Sequence, residues 1–199
     1  MLSPESWSPD GKTIAYVRME QSNYAIWALP LDGDRKARPL LESKFPEASP
    51  KFSPDGKWLA YCSNESGRAE VFVTELRGTP YGAGARIQVS TDGGTDPIWR
   101  RQGGELYYRS GEKMMAVAVA TQPKLTLSKP HQLWEGRYLH GVGSSCGMPG
   151  VSSANYDVTG DGQRFILIED KDQGVVARQI NVVLNWAEEL KRIAAGKKI

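Results

Sequence analysis

The sequence predicts an all-β protein assembled from repeated antiparallel units, and three observations lead there. Trp7-Ser-Pro-Asp-Gly-Lys-Thr-Ile-Ala-Tyr-Val17 returns 45 residues later as Phe52-Ser-Pro-Asp-Gly-Lys-Trp-Leu-Ala-Tyr-Cys62, and self-similarity at such a period marks a repeat architecture. Each copy is a tight turn followed by a short apolar run. The 21 glycines and 12 prolines fall between apolar runs, which suits a turn-rich β chain rather than disorder.

The elements of the first two repeats follow in order. In Ser-Pro-Asp-Gly, Pro presets φ, Asp can bond its own backbone and Gly closes the turn. Ile14–Val17 and Leu59–Cys62 then read as buried strands. After a polar loop, Tyr24–Leu29 and Glu70–Leu76 are the second strands. Asp32-Gly33 and Arg77-Gly78 punctuate them. Short strands over Arg38–Leu41 and Arg86–Val89 close each unit.

Two weaker repeats continue the pattern. Trp99-Arg-Arg-Gln-Gly-Gly-Glu-Leu-Tyr-Tyr-Arg109 keeps the aromatic anchor, the Gly turn and the apolar strand. Met114–Val119 and Gln132–Trp134 supply its later strands. Tyr156-Asp-Val-Thr-Gly-Asp-Gly-Gln-Arg-Phe-Ile-Leu-Ile168 opens a fourth unit, with Asn181–Leu184 as its next strand. The segment Gly136–Ser153 is a Gly/Ser-rich insertion.

An additional short segment precedes three anchors: Ser49–Phe52, Asp96–Trp99 and Ser153–Tyr156. Each predicts an innermost strand. Four antiparallel strands per unit at this spacing is the arithmetic of propeller blades. The first repeat is expected to lack its inner strand, since six residues precede Trp7. The blades are expected near residues 1–45, 46–91, 92–150 and 151–186, with a helix and tail over 187–199. Asn185 caps that helix, Glu188 completes a capping box, and Trp186, Leu190 and Ile193 form one apolar stripe.

These residues resemble the WD40-like (PD40) β-propeller repeat. The resemblance rests on Ser8-Pro9-Asp10-Gly11-Lys12 with Ile26-Trp27 and Asp32-Gly33, and on Ser53-Pro54-Asp55-Gly56-Lys57 with Val71-Phe72. Such repeats occur in TolB-type propellers of the bacterial periplasm and in the propellers of prolyl-oligopeptidase-like peptidases. The ending Asn181–Arg192 is similar to C-terminal propeller regions of bacterial membrane Ser/Thr kinases. The resemblance implies about four blades of a larger six- to eight-bladed ring, an extracytoplasmic location, and a role in binding. Loss of the first inner strand and of a final outer strand would leave open blade edges, through which self-association is expected.

Composition narrows the classes. Twenty-five basic and 23 acidic side chains give a net charge of +2, no electrostatic footprint for nucleic acid. No segment approaches the ~18 apolar residues that span a bilayer. Cys62 reads as a small buried hydrophobe in its strand and Cys146 as an exposed residue of the insertion; the sequence leaves a bridge between them undecided.

Catalytic patterns are weak. Gly143-Ser144-Ser145-Cys146-Gly147 matches G-x-S-x-G formally, yet no helix follows to make the strained elbow that chemistry needs. His131 and His140 form no zinc pattern. Asp157–Gly162 lacks the remaining ligands of a calcium loop and reads as a degenerate Ser-Pro-Asp-Gly turn. No metal or cofactor is therefore expected. The recurring aromatics read as packing between blades.

Function is expected where inner strands begin and loops converge. Ser49, Asp96 and Ser153 take equivalent places there, and Arg137, Tyr138 and His140 in the long insertion can bond a ligand. The expectation is a noncatalytic binding or scaffold module for a protein or peptide partner, or a small ligand. The alternatives are the propeller of a prolyl-oligopeptidase-like serine peptidase, or a small propeller lyase.

Overall fold

The computed structural model describes residues 2–20, 23–41, 43–78, 82–122, 124–138, 146 and 154–168. These residues are all strand, turn and loop. The expected strand over 181–184 and helix over 187–196 lie outside them, as do His140 and Ser153.

Three meanders make the first three blades. The first contains β1 (Leu2–Trp7), β2 (Thr13–Glu20), β3 (Asn23–Pro30) and β4 (Arg38–Pro39), paired in chain order. The second contains β5 (Glu47–Phe52), β6 (Trp58–Ser63), β7 (Glu70–Arg77) and β8 (Gly82–Gln88), again in chain order. In the third, β9 (Thr95–Trp99), β10 (Glu105–Ser110) and β11 (Lys113–Ala120) pair in sequence. Both β12 (Thr126–Leu127) and β13 (His131–Glu135) then share the outer side of β11. The fourth blade begins with the antiparallel pair β14 (Tyr156–Val158) and β15 (Phe165–Leu167).

The first blade corrects the expectation of a missing inner strand. Residues Leu2–Trp7 pair with β2 from Leu2↔Arg18 to Trp7↔Ile14. Six residues at ~3.3 Å each are enough for a strand, and Pro4 is tolerated because an innermost strand is an edge. No edge of the first blade is therefore left open by a missing strand. Two outer strands differ in extent. β4 stops at Pro39 because Leu40 and Leu41 turn into the core, where each is 2% exposed. β8 starts earlier than Arg86 and ends at Gln88.

The turn chemistry explains the sharpness of the motif. Ser8 Oγ donates to Asp10 Oδ1 at 2.6 Å and accepts from Thr13 N at 2.9 Å. Ser53 repeats this with Asp55 at 2.6 Å and Trp58 N at 2.9 Å. Gly11 and Gly56 sit at φ 73° and 70°, the left-handed region that glycine occupies without cost. Thr159, Asp161, Arg164 and Gly162 rebuild the same turn in the fourth blade, with Arg164 N donating to Thr159 Oγ1 at 3.1 Å. The reading of this segment as a degenerate turn holds. In the third blade Arg100 replaces the serine, and its Nε donates to Gly103 O at 2.6 Å.

Strand alternation sends each blade's side chains to two neighbours. Ala15, Ile26 and Ala28 of the first blade pack against Phe52, Leu59, Tyr61 and Phe72 of the second. Ala60, Val71 and Val73 of the second meet Trp99, Leu106, Tyr108 and Val117 of the third. Tyr107, Met114 and Ala116 meet Tyr156 and Val158 of the fourth. In each of the first two interfaces, small aliphatic residues of the earlier blade receive aromatic and larger residues of the later one.

Candidate functional site

The inner strands of the first three blades each carry a register irregularity, and those of the second and third place the candidate residues. In β5 the register slips between Ala48 and Lys51, and in the β9–β10 pair it slips between Tyr107 and Arg109. Ser49 and Asp96 occupy these bulges at the same φ of 54°. Both are buried. A left-handed φ on a non-glycine residue is strain that surrounding structure must hold. The expected equivalence of Ser49 and Asp96 is therefore a matter of backbone geometry as well as spacing.

The fourth blade shifts the expected register. Thr159 stands where Ser8 and Ser53 stand, so Val158 rather than Tyr156 takes the anchor position beside the turn. The place equivalent to Ser49 and Asp96 is then Asn155, two residues beyond Ser153. The reason is local: the turn's side-chain hydrogen bonds need a hydroxyl at its first position, and Thr159 supplies it.

Around Asp96 the structure gathers charge. Thr95 Oγ1 donates to Asp96 Oδ2 at 3.1 Å, and Tyr156 Oη donates to the Asp96 carbonyl at 2.6 Å. Arg109 is buried at the end of β10. Burial lowers its pKa, opposed by the negative charge of Asp96. Burial also pushes the Tyr156 phenol well up, and the Asp96 charge adds to that effect. A buried guanidinium is stable only when paired, and Asp96 is its acidic neighbour.

Arg109 also reaches the insertion: its Nη2 donates to Tyr138 O at 3.2 Å. Arg137, next to it, is exposed and lies 3.3 Å from Glu112 through Nε. Asp96 and Tyr138 are thus brought together at the third blade, with Arg109 as the link, whereas Arg137 adjoins them only along the chain and pairs with Glu112. Ser49 belongs to the second blade. Arg109 was not foreseen from the sequence, although the signal was present. It stands in an apolar strand where the equivalent positions are Val17 and Cys62.

The two cysteines join as a disulfide, with Cα atoms 6.0 Å apart and a separation of 84 positions in sequence. Cys62 is buried, as its strand position implies. Cys146 is also buried, which corrects its expected exposure. Both cluster with Val17, Tyr24 and Ala48 of the first two blades. Cys146 thus takes part in a core and a crosslink, which corrects the view of it as a mere loop residue; the rest of Gly143–Gly147 lies outside the described residues.

A second buried polar group lies nearby in the second blade. Glu47 is held with Oε1 3.3 Å from Arg86 Nη1, while Arg86 also pairs with Glu65 at 2.8 Å. Burial pushes the Glu47 carboxyl up to about 7, opposed by Arg86. Its Oε1 and the Tyr61 hydroxyl are buried without a hydrogen-bond partner.

At the opposite, turn-bearing end two grooves open. One of about 370 Å³ is lined by Ser53, Asp55, Trp99 and Thr121, and another of about 550 Å³ by Arg101, Asp157, Thr159 and Arg164. Neither includes the inner-strand starts. Among the described residues, no group of three or more His, Cys, Asp or Glu could hold a metal, and no helix is long and apolar enough to cross a membrane.

Solved structures share this architecture. A protein assigned as TolB from Agrobacterium tumefaciens superposes with a TM-score of 0.59 at 16% identity, over 84% of this chain and 57% of that one. TolB from Acinetobacter baumannii gives 0.58 at 20% identity, over 86% of this chain and 38% of that one. A puromycin-hydrolyzing peptidase from Mycobacterium tuberculosis gives 0.58 at 22% identity, over 81% and 27%. The chain therefore spans little more than half, or less, of each of these proteins. No curated protein matches the sequence. Residues 1–116, more than half the chain, match the family described as PD40, TolB beta propeller domain, and the chain belongs to that family.

Proposed function

We propose that the chain is a noncatalytic binding module that receives a protein or peptide partner at the inner-strand starts of its third blade. The observation that carries this reading is the Asp96–Arg109–Tyr138 link. It ties a strained strand start to the insertion that carries exposed Arg137. Rigid strands holding a loop with exposed polar groups is how binding sites are commonly built. The buried Asp96 and Arg109 position the site, whereas Arg137 and the insertion meet the partner. The Cys62–Cys146 disulfide supports an extracytoplasmic location, because such bonds persist in oxidising compartments.

The test is a peptide array against the purified chain, with affinities of any hits measured by calorimetry. Arg137→Ala is expected to weaken binding about tenfold, the scale of one exposed charged contact. A hydrolysis screen with peptide, ester and lactone substrates accompanies it. Turnover that survives purification of the chain, or binding that is indifferent to Arg137→Ala and to Arg109→Met, would overturn the proposal.

A further inference from the structure

Where the second blade leads into the third, the chain departs from its own repeat. Val89 N and Ser90 N both donate to the Val71 carbonyl, at 2.8 and 3.4 Å, as Leu40 N and Leu41 N do to the Ile26 carbonyl. Ser90 therefore stands where the first blade has Leu41, and Glu70 where it has Ala25. Glu70 and Ser90 are enclosed, at 1% and 0% exposure. The first blade closes with an alanine and a leucine at these places, so the fold itself does not require a buried carboxylate there. Burying one is unfavourable unless it is fully hydrogen-bonded.

Glu70 is bonded to the segment that enters β9. Gly93 N donates to Glu70 Oε1 at 3.0 Å, and the Ser90 hydroxyl donates to Oε2. Arg68 Nε donates to Oε1 at 2.6 Å, and the same guanidinium donates to the Thr91 carbonyl and, at 3.4 Å, to Asp92 Oδ1. Ser90 Oγ in turn accepts from Val71 N at 2.7 Å, and Gly94 N donates to Ala69 O at 2.9 Å. The seating is close, since a Cβ on Gly94 would fall on the Ser90 side chain. From β10, Ser110 Oγ donates to Asp92 O at 2.9 Å.

Asp96 follows Gly94 by two residues and holds its φ of 54°. Such a conformation persists only where its surroundings over-determine it. Tyr156 holds the Asp96 carbonyl from the fourth blade, and the Glu70 cluster holds the approach from the second. Ser49 keeps the same φ behind a connection two residues longer. Ser49 is neutral, however, whereas Asp96 is the acidic neighbour of buried Arg109, and buried opposite charges are favourable only in good geometry.

We propose that Glu70 is a positioning residue for the third-blade site. It fixes the entry to β9, so that Asp96 keeps its left-handed backbone and stays beside Arg109. The proposal rests on the reading of this strand start as the binding site.

Residue-resolved hydrogen exchange of the full chain tests it. In Glu70→Ala, amide exchange at Thr95, Asp96, Ile98 and Trp99 is expected to speed up about a hundredfold, while that of β2 and β3 changes less than about threefold. Glu70→Gln keeps a carbonyl acceptor for Gly93 N and Arg68, and is expected to restore most of the protection. Ser90→Ala, a smaller change in the same cluster, is expected to accelerate the same amides about tenfold, and it reads the clamp should Glu70→Ala not fold. A peptide selected on the array is expected to bind Glu70→Ala about tenfold more weakly and to regain affinity with Glu70→Gln, although buried residue 70 cannot touch it. Exchange that accelerates equally in all blades, or not at all in β9, overturns the proposal, because Glu70 would then serve global stability alone. Acceleration confined to β9 with peptide affinity unchanged would place the binding site elsewhere and overturn the role of Glu70 in it.

Discussion

Tyr156 donates its phenolic hydrogen to the carbonyl of Asp96 at 2.6 Å, joining the first strand of the fourth blade to the bulge of the third. Both residues are buried. The bond satisfies a backbone acceptor that the bulge removes from its ladder. Tyr156→Phe should leave that carbonyl unpaired and lower unfolding free energy by about 1–2 kcal/mol. Urea denaturation would check this: the midpoint should fall while the m-value stays constant.

The repeated turns depend on glycine for a specific reason. Gly11 and Gly56 hold φ values of 73° and 70°, and nothing lies closer to an added Cβ at Gly56 than Pro9 Cδ at 3.7 Å. Space is available, so backbone strain alone decides the outcome. Gly56→Ala is expected to cost about 1 kcal/mol, and Gly11→Ala a similar amount. Additivity in the double variant, measured by denaturation, would show that the two blades' turns act separately.

Glu47 predicts a pH dependence. Its carboxyl is raised from 4.5 to about 7, chiefly by burial. Between those values the folded chain binds more protons than the unfolded chain, so stability should fall as pH rises from about 4.5 to 7. Below 4.5 the neutral acid is present in both states and no penalty applies. Glu47→Gln should flatten this part of the stability profile by about 2–3 kcal/mol. An unchanged profile in the variant would mean that Arg86 compensates the buried charge fully.

The disulfide gives the fourth prediction. Purified without reductant, the unfolded chain should show no free thiol on titration with an aromatic disulfide reagent. Cys146→Ser should lose about 2–4 kcal/mol through the freed unfolded chain and the disturbed core. Adding reductant to the wild type should bring its stability down to that of the variant.

Much of the fold was legible because its causes are local. Ser-Pro-Asp-Gly closes its turn with hydrogen bonds spanning five residues or fewer, so the motif carries its own geometry wherever it occurs. Even the Thr159–Gly162 turn could be recognised, since Thr and Asp retain the needed oxygens. The strand β1 escaped notice because a six-residue inner strand with Pro4 at an edge has little apolar pattern of its own. It is held by its pairing with β2 and by Lys51 Nζ, which donates to Glu5 O at 2.7 Å. The candidate site divides in the same way. The matching positions of Ser49 and Asp96 follow from repeat spacing, whereas Arg109 gains its meaning only from Asp96 and Tyr138 across the fold.

By itself, then, the sequence determined the repeat, the turn chemistry, the antiparallel strands and the aromatic anchors Phe52 and Trp99 between the first three blades. These depend on interactions within one unit of about 45 residues. Only the tertiary structure decided that Cys62 meets Cys146, that Arg109 is buried beside Asp96, and that Trp7 is exposed where Phe52 and Trp99 are covered. Pairing and burial are properties of distant segments brought together, and no local pattern encodes which face of a repeat will find a neighbour.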